Sequence, residues 1–135
     1  MRATDLQVGN YVMVHPSNMV IQVAVVFGKL VGYIASGKHI EWIEESLIRP
    51  IPLCKVHLTK NGFKASDALD WQFVYKDGYE IKVCFEEDVP DYGIKEDFCT
   101  LSIEFADKEL WMEVKYLHTL QQAMKLLEVD KEIVI

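Results

Sequence analysis

The chain has 135 residues, half of them hydrophobic and 26% charged, with 14 Lys and Arg against 21 Asp and Glu for a net charge of −7. This is ordinary globular usage, which excludes a disordered chain, and at this length a core forms without disulfides or a structural metal. The charge is uneven: residues 1–60 carry six basic and four acidic side chains, residues 61–135 eight and seventeen, and no Lys/Arg cluster marks a nucleic-acid face.

The first elements are short. Thr4-Asp5-Leu6 caps a helical turn, and Val8-Gly9-Asn10 leads into a strand over Tyr11-Val12-Met13-Val14. After the turn His15-Pro16-Ser17-Asn18, the β-branched run Val20 to Phe27 and the run Leu30 to Ala35 form a hairpin about Gly28-Lys29. Ser36-Gly37-Lys38 turns the chain into His39 to Ile43, Glu44-Glu45-Ser46 makes a helical turn, and Leu47-Ile48-Arg49 closes the segment. Five short strands in about fifty residues predict a small barrel. Pro50-Ile51-Pro52 marks a junction, since each proline pushes its predecessor toward extended geometry. Two domains are therefore expected, 1–50 and 51–135.

Leu53 to Lys60 predicts a short helix stopped by Asn61-Gly62, the glycine supplying a positive φ. From Trp71 the period becomes two. Trp71, Phe73 and Tyr75, the turn Asp77-Gly78, and then Tyr79, Ile81, Val83 and Phe85 describe one hairpin. A second pairs Phe98–Phe105 with Leu110–Tyr116, and together they predict a four-stranded antiparallel meander. Leu117, Leu120, Met124 and Leu127 fall at helical spacing, so a helix over 117–128 is expected to lie across the meander with Gln121 and Gln122 on its far side. Ile133-Val134-Ile135 adds an edge strand or a cover.

Chemistry-bearing residues are sparse. The three cysteines, Cys54, Cys84 and Cys99, form no Cys-x-x-Cys pair, which points to a reduced, cytoplasmic setting. Residues 1–20 have no continuous apolar run of signal-peptide type, and Met19–Ala35 is too short and too broken to cross a membrane. Cys54 and His57, three residues apart on a helix, are two soft ligands on one face, and two ligands make no zinc site. Cys84 or Cys99 with His118 is the only thiol–imidazole pairing to weigh, and neither a Gly-rich oxyanion turn nor an orienting acid accompanies it. The loop Glu86 to Asp97 has oxygen ligands without the register of a calcium loop. No metal, cofactor or catalytic residue is assigned.

A binding surface is better marked. With one side of the meander given to the core, Gln72, Lys82, Ser102 and Glu113 share the other side with Trp111, a tryptophan among charged neighbours. On the barrel, Trp42 is the matching aromatic, and Val20 to Phe27 is apolar on both faces, so its outer face needs a cover, either the rest of the chain or a second copy.

Three stretches carry a resemblance: Ala3-Thr4-Asp5-Leu6-Gln7-Val8-Gly9-Asn10-Tyr11-Val12, the junction Ile51-Pro52-Leu53 with Lys60-Asn61-Gly62-Phe63, and Tyr116-Leu117-His118-Thr119-Leu120-Gln121-Gln122-Ala123. In this order they resemble a group of small uncharacterised proteins of gut Bacteroidetes and their phages or mobile elements. The chain departs from that pattern at Cys54, where Thr is more usual, and at Gln122, where His is frequent. The resemblance implies an architecture and a genomic setting and no site residues. The opening also looks like the entry to SH3-like or KOW-type small barrels.

The expectation is an α+β protein: an N-terminal SH3-like small β-barrel, a helix, a four-stranded antiparallel meander and a C-terminal helix. Its expected role is non-catalytic, an accessory protein that binds a protein partner through Trp111, Trp42, Lys82 and Glu113, with a homodimer as a further option and no membrane. Two alternatives belong to other classes. One is a nucleic-acid module using Lys29, Lys38 and Arg49 with Tyr11, Tyr33 and Trp42. The other is a small enzyme with an inter-domain pocket near Cys84 or His118.

Overall fold

The computed structural model describes residues 1–67, 72–76, 80–85, 99–105, 108–126 and 132–135, and for residues 85, 99–105 and 108–113 the backbone alone. The expected acidic loop Glu86 to Asp97 lies outside the described residues. The architecture is α+β, with three small antiparallel sheets and a C-terminal helix. The strands are β1 (Tyr11–Val14), β2 (Met19–Gln22), β3 (Val25–Phe27), β4 (Leu30–Ile34), β5 (Ile40–Glu44), β6 (Ile48–Arg49), β7 (Lys64–Ala65), β8 (Gln72–Lys76), β9 (Glu80–Phe85), β10 (Cys99–Phe105) and β11 (Lys108–Val114). The helices are α1 (Lys55–Lys60) and α2 (Leu117–Leu126), and 3₁₀ turns cover Ala3–Asp5 and Glu45–Leu47.

The chain divides into two compact units, Met1–Ile51 with Tyr116–Lys131, and Pro52–Lys115 with Glu132–Ile135. In the first, the described strands form no closed barrel. They make two separate three-stranded sheets, ordered β2-β1-β6 and β3-β4-β5. The physical reason is a break in the apolar run Val20 to Phe27 at Val23-Ala24. Val23 exchanges backbone bonds with Gly9 and Asn10, while the Ala24 N–H donates to Gly32 O, so the run serves one sheet before the break and the other after it. Ala3, Leu6, Val12, Ile21, Val23, Val31 and Ile48 form one buried cluster, flanked by Val26, Tyr33 and Ile43.

Helix α2 belongs to this unit, and its glutamines show why. The Tyr11 N–H donates to Gln121 Oε1 at 2.8 Å, and Gln121 Nε2 donates to Gly9 O at 2.9 Å. Gln122 Nε2 donates to Asp5 O at 2.9 Å and to Asn10 Oδ1 at 2.8 Å. Residues read from periodicity as the far side of the helix thus satisfy backbone groups that the entry to β1 leaves unpaired. Leu117, Leu120 and Met124 are buried as their spacing predicts, Ala123 is buried beside them, and Leu127 lies outside the described residues.

In the second unit, α1 ends as expected. Gly62 has φ +85°, the Phe63 N–H donates to Leu58 O, and the Gly62 N–H donates to Thr59 O, a left-handed terminus that satisfies two helix carbonyls. The buried Asn61 amide pairs both ways with the Val134 backbone, donating to its carbonyl at 2.8 Å and accepting from its N–H at 2.7 Å. The C-terminal residues are therefore held by a side chain, not by a sheet edge. The third sheet has the order β11-β10-β9-β8-β7, with Phe73, Ile81, Val83 and Val114 buried and Lys76 facing Glu80 where β8 meets β9. Strand β7, only two residues long, carries too little pattern to be read from sequence.

Candidate functional site

The sheet β3-β4-β5 turns one face to the buried cluster and the other to water. Its register follows from the two-residue connection Gly28-Lys29, which pairs Phe27 with Leu30 and Val25 with Gly32. On the other side, Gly32 faces Trp42, Leu30 faces Glu44 and Ile34 faces Ile40. Because side chains alternate along a strand, these residues share a face, while Val26, Val31, Tyr33 and Ile43 share the opposite one and pack inward. The outer face is apolar but for Glu44. Phe27 is 72% exposed, Ile34 62%, Trp42 47% and Ile40 41%.

Gly32 sits beneath the centre of this face. A Cβ there would stand 2.5 Å from Val25 Cγ1, 3.0 Å from Ile40 Cγ2 and 3.3 Å from Trp42 Cζ3, so three side chains close directly over the backbone. The indole thus rests on a glycine, a seat that limits its rotamers before any partner arrives. Such an aromatic surface loses little conformational entropy on binding. Trp42, named from sequence as a barrel-surface aromatic, is the centre of the patch. Phe27 ends the run whose outer face the sequence marks as needing a cover; Gly32, Ile34 and Ile40 follow only from the Gly28-Lys29 turn together with two-residue alternation.

The remaining candidates fall in the second unit. Trp111 pairs with Ser102, Ser102 with Lys82, Lys82 with Val74 and Val74 with Lys64, one cross-strand row through all five strands. Glu113 stands two positions along, opposite Thr100, in the row of Cys84 and Gln72. Lys82 is half-buried; the side chains of Trp111 and Glu113 lie outside the described residues. The register thus places Lys82 and Trp111 in one row of a single sheet, two strands apart with Ser102 between them, and Glu113 in the next row on the same face, whereas Trp42 belongs to the other unit. An open groove of about 460 Å³ borders β7 and β8, lined by Lys64, Asp67, Tyr75, Lys76 and Glu80 with smaller groups. Its basic and acidic side chains are mixed and select no one ligand charge.

Of the thiol and imidazole candidates, the Cys99 side chain lies outside the described residues, and the others show no catalytic pairing among those described. Cys54 caps α1: its N–H donates to His57 Nδ1 at 3.2 Å, and its Sγ lies 3.4 Å from the same nitrogen. That places a backbone proton on the lone pair a metal would need, and burial, then the Lys60 charge, lower the His57 pKa. Cys84 Sγ accepts from Gln72 Nε2 at 3.6 Å. His118 is buried and stacked on Tyr116 at 5.7 Å, its Nδ1 has no hydrogen-bond partner among the described residues, and burial lowers its pKa against the opposing pull of Asp5. Among the described residues no three His, Cys, Asp or Glu side chains gather as metal ligands. The stacking set weighed for nucleic acid is divided, since Tyr33 and Trp42 lie on opposite faces and the Arg49 guanidinium donates to the Ser46 and Ile48 carbonyls. No described helix is long and apolar enough to cross a membrane.

No protein-family model, curated protein or solved structure matches the chain.

Proposed function

We propose that this chain is a non-catalytic interaction protein, an accessory factor of a phage or mobile element acting in the cytoplasm, which holds a protein partner on the outer face of β3-β4-β5. The observation that carries this reading is an apolar face of four exposed large side chains with a tryptophan seated on glycine at its centre. Water contact with such a patch is unfavourable by about 25 cal/mol per Å², and a surface of this kind on a small protein marks a contact site. Aromatic anchors at the centre of a patch supply most of the affinity of an interface.

Finer structural readings accompany this proposal. The first unit is an SH3-like module opened between its sheets, supported by five consecutive strand segments about one buried cluster and by the 3₁₀ turn before β6. Strands β8 to β11, neighbours in chain order, support the four-stranded meander. The free thiols of Cys54 and Cys84 support a reducing compartment.

The test is affinity capture from host lysate treated with nuclease, comparing wild type, Trp42→Ala, Ile34→Lys and Trp111→Ala. Loss of a stoichiometric companion in the first two variants, both still folded by circular dichroism, is the expected result. Retention of that companion by Trp42→Ala and Ile34→Lys would refute the assignment, and its loss in Trp111→Ala alone would move the contact to the sheet of β7 to β11.

A further inference from the structure

Resting on this reading of the face as a docking surface, we infer that its occupant is a second copy of the chain, stacked face to face with strands reversed so that Lys38 of each copy meets Glu44 of the other. The face is chemically suited to itself. Its middle and far rows, Val25-Gly32-Trp42 and Ile34-Ile40, hold no charge, so two such surfaces meet without burying an unpaired ion. Charge enters only at the ends. Glu44 stands on the face at the Leu30 end, beside Glu45, whose carboxylate accepts from the Ala3 N–H. Within the sheet and its connecting turns, that end carries one cation, Lys29 in the β3–β4 turn, against the two carboxylates. At the other end, beyond Ile34 and Ile40, the turn Ser36-Gly37-Lys38 presents Lys38, while His39 is paired with Glu41 at 3.2 Å. Neither Lys38 nor Glu44 belongs to an ion pair of the described residues.

Ile40 and Glu44, the outermost face positions of β5, lie four residues apart, roughly 13 Å at strand rise, and Lys38 stands two residues beyond Ile40. A strip negative at one end and positive at the other complements its own copy only when turned end for end, and a two-fold axis across the strands does this while forming the Lys38–Glu44 contact twice. Stacking with like ends together would instead set Glu44 against Glu44.

The area sets the strength. Four side chains of roughly 200 Å² each, at the exposures given above, contribute about 450 Å² per copy. Across the pair these four side chains therefore bury at most about 900 Å², below the usual size of a specific interface, so the complex is weak and governed by concentration.

Sedimentation velocity between about 10 µM and about 1 mM reads this directly. The expected mass rises from 15.6 kDa toward twice that value. Phe27→Lys and Trp42→Ser stay monomeric, and Lys38→Glu or Glu44→Lys each weakens association roughly tenfold, because each reverses two contacts. The double variant Lys38→Glu/Glu44→Lys returns to within about twofold of wild type, a rescue that damage to folding does not produce. A monomer at every concentration overturns the inference, as does a dimer indifferent to Trp42, or single charge reversals without effect. If the chain is monomeric yet Trp42→Ala abolishes capture of a different protein, the docking face stands and the second copy does not. If neither self-association nor Trp42-dependent capture occurs, both fail.

Discussion

Replacing Gln121 by Ala tests how α2 is joined to the first unit. The substitution removes the acceptor of the Tyr11 N–H and the donor to Gly9 O, two bonds of 2.8 and 2.9 Å on half-buried backbone. A net hydrogen bond contributes about 1 kcal/mol, and a backbone group left dry costs up to about 3 kcal/mol. With water reaching part of the site, the two losses come to about 2 kcal/mol, offset by a few tenths from the better helix propensity of Ala. For a domain of this size the midpoint should fall by roughly 5–10 °C. Gln121→Glu keeps an oxygen for Tyr11 but loses the donor to Gly9, so it should sit between wild type and Gln121→Ala at neutral pH. Thermal unfolding by circular dichroism, with amide exchange at Tyr11 as the local probe, measures both. A loss under about 0.5 kcal/mol, or unchanged exchange at Tyr11, would refute the bracing of β1 by the helix.

Other outcomes follow from the same geometry. Gly32→Ala places a methyl 2.5 Å from Val25 Cγ1; overpacking costs about 1–3 kcal/mol against about 0.5–1 kcal/mol recovered from the glycine backbone, so urea denaturation should show a net loss, and a gain would mean that Trp42 does not rest there. Asn61→Ala strands both polar groups of Val134 and should cost about 2–4 kcal/mol, read by the same method; a change within about 0.5 kcal/mol would show that the tether is idle. The His118 pKa lies below 6.5 in the folded chain because the ring is buried, so at pH 7 and above both folded and unfolded forms are neutral and the residue adds no pH dependence. Below 6.5 the unfolded chain takes up a proton that the folded one resists, and stability falls by up to about 1.4 kcal/mol per pH unit until the folded pKa is reached. His118→Phe should flatten that slope between pH 7 and 5; an identical slope in wild type and variant would assign it elsewhere.

Local periodicity made much of this fold legible. Tyr11–Val14 follows from its flanking turns, Asn61-Gly62 from the need for positive φ at a helix end, and Leu117, Leu120 and Met124 from helical spacing. What periodicity does not report is the partner of each element. Gln121 and Gln122 look like solvent-facing polar residues until the unpaired groups at Asp5, Gly9 and Tyr11 are placed beside them. The break at Val23-Ala24 was hidden for a similar reason, since a largely β-branched run can change sheets with no glycine or proline to mark the bend. At the candidate site, Trp42 stood out by residue type. The outer face of the run ending at Phe27 is marked in sequence only as needing a cover, and Ile34 and Ile40 join it only when the hairpin register places them beside Trp42.

Hydroxyl-radical footprinting at rising protein concentration tests the role of the Trp42 face most directly. Oxidation of Trp42 and Phe27 should fall as association proceeds, while Met19, exposed on β2, keeps its rate as an internal reference. Constant oxidation of Trp42 and Phe27 across an association seen by sedimentation, or protection centred on Met19, would contradict the assignment of that face as the contact surface.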